Sequence, residues 1–395
     1  MKVLALGGAG DMGRTAVISL INSRSIDAVT VADRNYEVAK KFVELIAVGK
    51  VSAAEIDVND HCKLVDLIAQ HDLVMSTVGP YYRLGPYITE ACIEAKKSCV
   101  DICDDWKPML NILAMDEAAR KAGITVIPGI GASPGLSNLL AVLGASVFDE
   151  VDEIVTAWGN GKAVSGPPQP HHISKKHLDV VRPSQENAAI VHLLYECIEP
   201  IPTFRDGKII NIEPLSDAAP IKFPGYKDTF AYHIGHPEPV TLPRTIKANS
   251  VSNVLFYGKS FIQLLRTLVG QIKKGELSIE KAALQLDKKA NAEINIDDVA
   301  SVLPPICVTI SGWKNGTKKR SALGLRRIPY GQMAGSTGVP LAIATMMIAE
   351  GRITAKGVLT PESAIEPSCF LNRYAEYCGR GLSINDILLK KEVHL

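Results

Sequence analysis

The sequence predicts an α/β protein in which a doubly wound parallel sheet is followed by a second α+β domain with a mixed, partly antiparallel sheet. Three observations lead to this prediction. Apolar, strand-length runs alternate with helical stretches over the first 130 residues, and a glycine-rich turn follows the first of these runs. In the second half, strand-like runs are instead joined by hairpin turn signals.

Six strand–helix repeats account for the first domain. Runs such as DLVMSTVG are apolar on both faces, as expected of strands buried within a parallel sheet. The predicted strands lie near 2–6, 28–32, 52–58, 72–79, 98–103 and 124–129, and the predicted helices near 12–22, 35–47, 61–69, 86–96 and 108–122. Six parallel strands with helices between them make a complete doubly wound sheet.

The pattern changes near Val151. Strand-like runs around the turn signals Asp206-Gly207 and Asn315-Gly316 are typical of antiparallel hairpins. Helices are predicted near 259–274 and 279–290, and an apolar helix near Val339 precedes the closing segment. The predicted domains are therefore 1–135, 136–338 and 339–395.

Composition excludes several classes of protein. The 395 residues are 47% hydrophobic and 22% charged with a formal net charge of +1, so no basic footprint for nucleic acid or an anionic membrane is present. No apolar run reaches the ~18 residues of a membrane span. The eight cysteines form no CxxC pair, so no metal site is predicted, and free thiols favour the cytoplasm. Motifs of serine hydrolases, zinc proteases and P-loop kinases do not occur in the chain.

Gly8, Gly10 and Gly13 form a G-x-G-x-x-G motif that follows a predicted strand and opens a predicted helix. Asp33 lies twenty residues further on, at the end of the second strand. In this context the glycines permit a tight turn, close approach of a pyrophosphate to the backbone, and close helix–sheet packing. The motif predicts a Rossmann-type dinucleotide site with the phosphates at the helix N-terminus.

The residues after the second strand bear on the choice of cofactor. Asp33 would bind the ribose hydroxyls and repel a 2′-phosphate, which favours NAD, whereas Arg34 could attract that phosphate, so NADP stays possible. Asp57 either flanks the adenine or caps a helix with Asp60. The predicted cofactor contacts are Gly8, Ala9, Gly10, Asp11, Met12, Gly13, Asp33, Arg34, Asp57, Val58, Thr77, Val78, Gly79 and Pro80.

Polar side chains cluster where later strands end. Asp104 and Asp105 follow the fifth strand, and Tyr82 and Arg83 follow the fourth, so all four are expected near the nicotinamide half of the cofactor. His172 lies in a proline-rich loop at 161–174 and is either solvated or a proton carrier. Further candidates have structural alternatives: His233 and His236 as core polar groups, Arg244 as a surface arginine, and Ser336 with Thr337 as a helix cap.

GGAGDMG, STVGPYYRLG, CVDICDD and GIGASPGLSNLLA resemble the saccharopine dehydrogenase family, particularly its single-chain members similar to lysine 6-dehydrogenase. The resemblance continues through IGHPEPVTLPR and GSTGVPLAIATMMIAEGRITAKGVLTPESAI, and so covers nearly the whole chain. It implies a Rossmann domain followed by a substrate and dimerisation domain, with the last helices returning to the Rossmann side.

The resemblance also implies an NAD(P)-dependent dehydrogenase acting on a C–N bond of a lysine-like or saccharopine-like amino acid. The expected catalytic residues are Asp104, Asp105, His172 and Tyr82, and the expected substrate-binding residues are Arg83, Arg244 and Thr337. A small amino-acid substrate and a homodimer are the expected partners. Two alternatives stay open: a homospermidine-type synthase with no net redox change, and a non-catalytic nucleotide-binding regulator.

Overall fold

The computed structural model describes residues 1–167, 188–293 and 303–395, and these divide into two compact units. The first unit contains 1–139, 164–167 and 327–387. The second contains 140–163, 188–293, 303–326 and 388–395. The units are interleaved along the chain, whereas the predicted domains are consecutive, and the boundaries at 135 and 338 stay a prediction.

The first unit is built on a parallel sheet, as the sequence predicts. Its strands are β1 (Lys2–Leu6), β2 (Ala28–Asp33), β3 (Val51–Glu55), β4 (Leu73–Ser76), β5 (Ser98–Asp101), β6 (Thr125–Ile127) and β16 (Gly357–Val358). In the described residues the strand order is β16-β6-β5-β4-β1-β2-β3 with every pairing parallel. The strand order reverses between β1 and β4, and ligands of such sheets bind beside this reversal.

Six helices connect these strands: α1 (Asp11–Leu20), α2 (Tyr36–Ile46), α3 (His61–Ala69), α4 (Tyr81–Glu94), α5 (Trp106–Leu113) and α6 (Asp116–Ala122). Helix α4 begins five residues before the predicted start at Pro86, because that proline lies inside the helix rather than at its first position. The predicted helix at 108–122 is two helices, interrupted at Ala114 and Met115.

The second unit is built on a mixed sheet, in agreement with the prediction. Its strands are β7 (Glu150–Gly159), β9 (Ile201–Arg205), β10 (Lys208–Ile212), β11 (Tyr232–His233), β12 (Ala248–Phe256), β13 (Ile306–Lys314), β14 (Thr317–Leu325) and β17 (Leu388–His394). The order is β10-β9-β12-β7-β13-β14-β17, with β11 added to β12; β7 and β12 are parallel and the other pairs antiparallel.

Both predicted hairpins are confirmed. Asp206 and Gly207 join β9 to β10, and Asn315 and Gly316 join β13 to β14. All four residues have φ between +50° and +74°, which two-residue hairpin loops of this type require.

Helices cover the second sheet and complete the first unit. In chain order they are α7 (Leu136–Ala145), α8 (Ala188–Tyr195), α9 (Glu238–Thr241), α10 (Lys259–Lys273) and α11 (Ile279–Glu293), followed by α12 (Met333–Ala349), α13 (Pro361–Ala364), α14 (Pro367–Cys378) and α15 (Ile384–Ile387). The short strands β8 (Val164–Ser165) and β15 (Arg327–Ile328) pair in parallel within the first unit. None of the helices in the described part of the chain is long and apolar enough to cross a membrane.

Helix α12 packs directly on α1. A Cβ atom at Gly338 would lie 2.5 Å from the carbonyl oxygen of Met12 and 2.8 Å from the Cβ of Thr15, so only glycine permits this approach. The residues 339–349 that follow are almost entirely buried. The apolar run that follows GSTG is therefore part of the core of the first unit.

Candidate functional site at the carboxyl edge

The turn between β1 and α1 is shaped by its glycines. Gly7 has φ +67°, a value that favours glycine, and its carbonyl oxygen accepts a 2.9 Å hydrogen bond from the N–H of Gly10. The tight turn therefore depends on Gly7 as well as on Gly8, where a Cβ atom would lie 2.8 Å from the carbonyl oxygen of Ala5. Gly10 stands at the N-cap of α1, and no side chain among the described residues caps this helix. The free N–H groups of the first helical turn fit an anionic group such as a pyrophosphate.

Gly13 allows α1 to approach the sheet. A Cβ atom there would meet the carbonyl oxygen of Gly7 and would lie 2.8 Å from the Cα of Gly8. From the opposite side, the hydroxyl of Thr77 donates to the carbonyl oxygen of Gly7 at 3.0 Å. The role assigned to Gly13 from the motif is confirmed by this geometry, and Thr77 ties the loop after β4 to the turn.

Arg14 is a residue of this turn that sequence reasoning missed. It is 1% exposed, and its guanidinium donates to the carbonyl oxygen of Ala9 at 2.8 Å and pairs with the exposed carboxylate of Asp11. The guanidinium thereby contacts the backbone before Gly10 and the side chain after it. A signal existed in the sequence: an arginine next to the apolar stretch of a predicted helix, one residue after Gly13.

The ends of β2 and β3 carry the residues predicted to contact the adenosine. Asp33 is half-buried and accepts a 3.1 Å hydrogen bond from the N–H of Asn35, while Arg34 is exposed. Asp57 accepts from the backbone and side chain of Asn59, and these hydrogen bonds lower the pKa of its carboxyl group. Asp60, not Asp57, caps α3, and Val58 is buried in the core of the first unit.

The loop after β4 leads directly into α4. Val78, Gly79 and Pro80 form this connection, with Pro80 at the N-cap. Tyr82 is 38% exposed, whereas the preceding Tyr81 is buried. Arg83 donates at 3.0 Å to the side-chain oxygen of Asn59, after β3, so its guanidinium lies toward that strand.

Three carboxylates follow one another at the end of β5. Asp101 is the last residue of the strand and is 6% exposed. Asp105 is buried at the N-cap position of α5 without capping that helix, and Asp104 is half-buried between them. Burial, opposed by two backbone hydrogen bonds, raises the pKa of Asp101 to about 6. The sequence places Asp101 in the CVDICDD motif, but only the structure shows that this carboxyl group is buried and that its pKa is raised.

A small pocket lies beside this cluster, lined by Ser76, Tyr81, Gly85, Ile88, Thr89, Cys99, Val100 and Asp101. Burial, with a contribution from Asp101, raises the pKa of the Tyr81 phenol well above its usual range. The ends of β1, β2, β4 and β5, with the loops that follow them, are called the carboxyl edge below. It presents a glycine turn, an open helix N-terminus and a carboxylate cluster.

Comparison with known proteins identifies the kind of chain that carries this edge. The family model for the saccharopine dehydrogenase NADP binding domain matches residues 3–127. The model for the saccharopine dehydrogenase C-terminal domain matches residues 131–379. The chain belongs to the saccharopine dehydrogenase family.

Relatives within and around this family carry several names. Saccharopine dehydrogenase (NADP(+), L-glutamate-forming) of Pyricularia oryzae is 32% identical over 161 residues, which are 41% of this chain and 32% of that protein. The matched region thus spans about a third of the relative's length. Carboxyaminopropylagmatine dehydrogenase of Synechocystis is 23% identical over 410 residues, covering 95% of this chain and 96% of that one.

Solved structures share the fold. Apo saccharopine dehydrogenase (L-Glu forming) from Saccharomyces cerevisiae superposes with a TM-score of 0.63 at 19% identity, over 99% of both chains. Homospermidine synthase from Legionella pneumophila, in complex with NAD, gives 0.54 at 11% identity, over 100% of this chain and 91% of that one. At these identities the likeness shows the fold alone.

The remaining site residues predicted for this family member lie elsewhere. Thr337, in α12, places its methyl group 3.1 Å from the position of a Cβ at Gly131, in the turn after β6. Arg244 ends a short 3₁₀ helix of the second unit and is exposed. His172 lies outside the described residues, as does the 168–174 part of its predicted loop.

The second unit holds a buried charged triad that sequence reasoning left undecided. His236 lies 3.1 Å from Glu196 through Nε2 and 3.5 Å from Glu238 through Nδ1, and all three side chains are at most 4% exposed. Burial alone would lower the pKa of His236, but the two glutamates raise it well above its usual range. Its ring also packs on Trp158 at 5.0 Å between centroids. Among the described residues, His236 is therefore a charged core group, while burial and Arg205 lower the pKa of His233.

Proposed function

We propose that this chain is a nicotinamide-dependent oxidoreductase that acts on a C–N bond of a lysine-like or saccharopine-like amino acid. The observation that carries the proposal is the carboxyl edge: the open N-terminus of α1 lies at the strand-order reversal, with Asp101, Asp104 and Asp105 two strands away. Family membership supports the cofactor class, and the names of relatives that act on saccharopine or carboxyaminopropylagmatine support the substrate class.

The residues of the edge fit a dinucleotide. Side chains at Gly8 or Gly13 would occupy the space of the turn, and the first N–H groups of α1 are available for phosphate oxygens. A bound nicotinamide ring supplies the acceptor or donor of a hydride. Asp33, the last residue of β2, is proposed to bind the adenosine ribose, and the loop from Thr77 to Pro80 is proposed to line the nicotinamide half.

The carboxylate cluster after β5 is proposed to carry out the proton transfers of the reaction. A substrate amine must be neutral before the adjacent carbon can give up a hydride, so a base has to take its proton. Water that adds to the resulting iminium also needs a base, and the departing nitrogen needs an acid. We propose that Asp104 or Asp105 carries out these proton transfers, because both follow β5 in the same cluster as Asp101. Asp104 is half-buried rather than fully buried, so this residue is partly exposed.

Cofactor binding and turnover are tested separately. Titrating the protein with NADH and with NADPH, while following nicotinamide fluorescence, should show saturable binding of at least one of them. Amino acids and their keto-acid adducts are then screened with oxidised cofactor for a rise in absorbance of the reduced ring. Absence of binding by both cofactors would contradict the proposal.

Variants test the residue roles once a substrate is found. Asp104→Asn with Asp105→Asn should abolish turnover while leaving cofactor binding in place. Arg244→Ala should raise KM if its guanidinium holds a substrate carboxylate. Exposed Asp66, on α3, provides a matched control as Asp66→Asn. Full turnover in the double variant would exclude Asp104 and Asp105 from the proton transfers.

A homospermidine-type synthase is the second candidate, because such an enzyme, solved with NAD, shares the fold over the whole of this chain and 91% of its own. A synthase of this kind returns the hydride, so product would appear without a net change in reduced cofactor. A non-catalytic regulator would give neither product nor absorbance change, and it would have no need of a carboxylate cluster.

The homodimer expected from the sequence stays a prediction. Light scattering would measure the oligomeric state of the chain in solution.

A further inference from the structure

Asp101 joins the segments that follow two neighbouring strands. Its side-chain Oδ1 accepts hydrogen bonds from the N–H of Cys103 at 2.8 Å and from the N–H of Gly129 at 3.0 Å. Its backbone carbonyl oxygen accepts a third, from Ile130 at 2.8 Å. One buried residue at the end of β5 therefore fixes both the path after β5 and the path after β6.

The segments held by Asp101 have little freedom of their own. Gly129 has φ +71°, and a Cβ there would lie 2.8 Å from both Met109 and Pro134. The N–H of Gly131 donates to the carbonyl oxygen of Pro134 at 3.0 Å, which closes the next turn. On the β5 side, Cys103 is followed at once by Asp104 and Asp105. A shift at Asp101 would therefore move the carboxylate pair and this turn together.

Several acids surround Asp101. The titratable groups that interact with it include Tyr81 from α4, Cys99 from β5, and Cys103, Asp104 and Asp105 from the following segment. Helix α12 packs on β4 and β5 and has no titratable residue, and Lys107 on α5 is exposed.

Keeping this carboxylate ionised at neutral pH opposes folding. Burial, with a contribution from Asp104, raises its pKa to about 6, so the ionised form is less favourable in the folded than in the unfolded chain. An ionised oxygen is nevertheless the stronger acceptor for two N–H groups. The ionised carboxylate of Asp101 thus lowers the stability of the fold, and it lies at the edge proposed to bind the cofactor. Both observations point to a functional role for this residue.

We propose that Asp101, in its ionised form, is a positioning residue that holds the Asp104–Asp105 segment and the turn at 131–135 in place for the nicotinamide half of the cofactor. The inference rests on the proposed function, because it assumes that a nicotinamide cofactor binds at the carboxyl edge. It assigns Asp101 no contact with substrate; Asp101 acts through the backbone that it holds.

The test compares two probes that differ by the nicotinamide ring. NADH contains both halves of the cofactor, whereas ADP-ribose contains the adenosine and pyrophosphate and lacks the ring. Binding of each is measured between pH 5 and 8 for the native chain, Asp101→Asn, Asp101→Ala and the control Asp66→Asn. Asparagine can still accept both N–H bonds but carries no charge, whereas alanine accepts neither.

We expect native NADH binding to tighten as pH rises through about 6, since Asp101 ionises there. Asp101→Asn should bind NADH with affinity that no longer changes over this range. Asp101→Ala should weaken NADH binding about tenfold at pH 7, as expected for two lost hydrogen bonds to a charged acceptor. ADP-ribose should bind all four proteins within about twofold, which also shows that the variants are folded.

The remaining binding results would contradict either the inference about Asp101 or the proposed function itself. NADH binding that is equal in the native chain and in Asp101→Ala at every pH would overturn the inference and leave the proposed function standing. Equal weakening of both probes in Asp101→Ala and Asp101→Asn would indicate a general structural role and overturn it too. If the native chain binds neither NADH nor ADP-ribose, the proposed function itself is wrong.

Discussion

The side-chain amide of Asn138 donates a 2.9 Å hydrogen bond to the carboxylate of Glu362, 224 residues further along the chain. The amide oxygen of Asn138 accepts in turn from the N–H of Gly135, so the turn after β6 is joined to α13 within the first unit. Both side chains are buried, at 0% and 5% exposed. Two sequence segments that resemble the family, GIGASPGLSN and TPESAI, thus meet through one pair of residues.

This pair predicts a stability effect. Asn138→Asp would place two carboxyl groups together in the core, and we expect it to cost about 3–5 kcal/mol at pH 7, as for other uncompensated buried charges. Asn138→Ala removes the donor and should cost about 1–3 kcal/mol. Denaturant unfolding measures both. Glu117→Gln, on the exposed surface of α6, is the control and should stay within about 0.5 kcal/mol of the native chain.

Gly13→Ala should abolish tight cofactor binding. Its Cβ would meet the carbonyl oxygen of Gly7 and crowd the hydroxyl of Thr77, at 2.9 Å, so α1 would have to move away from the sheet. We expect at least about tenfold weaker NADH binding, a loss of ~1.4 kcal/mol. Gly49→Ala is the matched control, since a Cβ there has open space. Undiminished binding in Gly13→Ala would show that the turn does not hold the cofactor.

Asp33 is predicted to make the chain prefer NADH over NADPH. A carboxylate at the end of β2 suits two ribose hydroxyls and repels a 2′-phosphate, so Asp33→Ala should weaken NADH binding by about 1–2 kcal/mol and narrow the preference. Arg34→Ala should leave NADH binding unchanged and weaken any NADPH binding. Fluorescence titration with both cofactors gives the ratio. A native chain that prefers NADPH would show that Arg34 dominates and that this prediction is wrong.

The triad of Glu196, His236 and Glu238 predicts a pH-dependent effect on stability. Because the pKa of His236 is raised, its contribution is fully present below its unfolded value of about 6.5, and is lost only as pH rises through the higher folded value. His236→Gln removes the cation that lies between two buried glutamates and should cost about 3–5 kcal/mol at pH 7 to 8. The cost of the substitution should be smaller at pH 5 than at pH 7. The reason is that, in the variant, the buried glutamates take up protons more readily as the pH falls.

Denaturant unfolding of His236→Gln at pH 5, 7 and 8 checks this expectation. His233→Gln is the control from the same segment: burial lowers the pKa of His233, so it is neutral in the folded chain at pH 7 and its loss leaves no buried charge without a partner. A cost for His236→Gln that does not change with pH would mean that the imidazole acts by packing on Trp158 alone.

Local rules determined most of the fold from the sequence. Alternation of apolar runs and helical stretches depends on neighbours within a few residues, and so do the hairpin turns at Asp206-Gly207 and Asn315-Gly316. The same holds for the glycine turn after β1, because the spacing of its glycines is visible in the sequence. The misplaced start of α4 shows the limit of such rules. From sequence alone, a proline inside a helix cannot be distinguished from a proline at the first position of a helix. The packing of the folded chain determines which of the two occurs.

Only the tertiary structure decided which charges are buried. Arg14, Asp101 and His236 are polar residues whose burial the sequence does not fix, yet each is nearly fully buried and charged or titratable near neutral pH. Burial depends on segments far apart in the chain, such as α12 on α1 through Gly338 and Met12. Because the free energy of a charge depends on its distance from water, sequence alone located the carboxylate cluster, but the packing around it buries Asp101 and so raises the pKa of that carboxyl group.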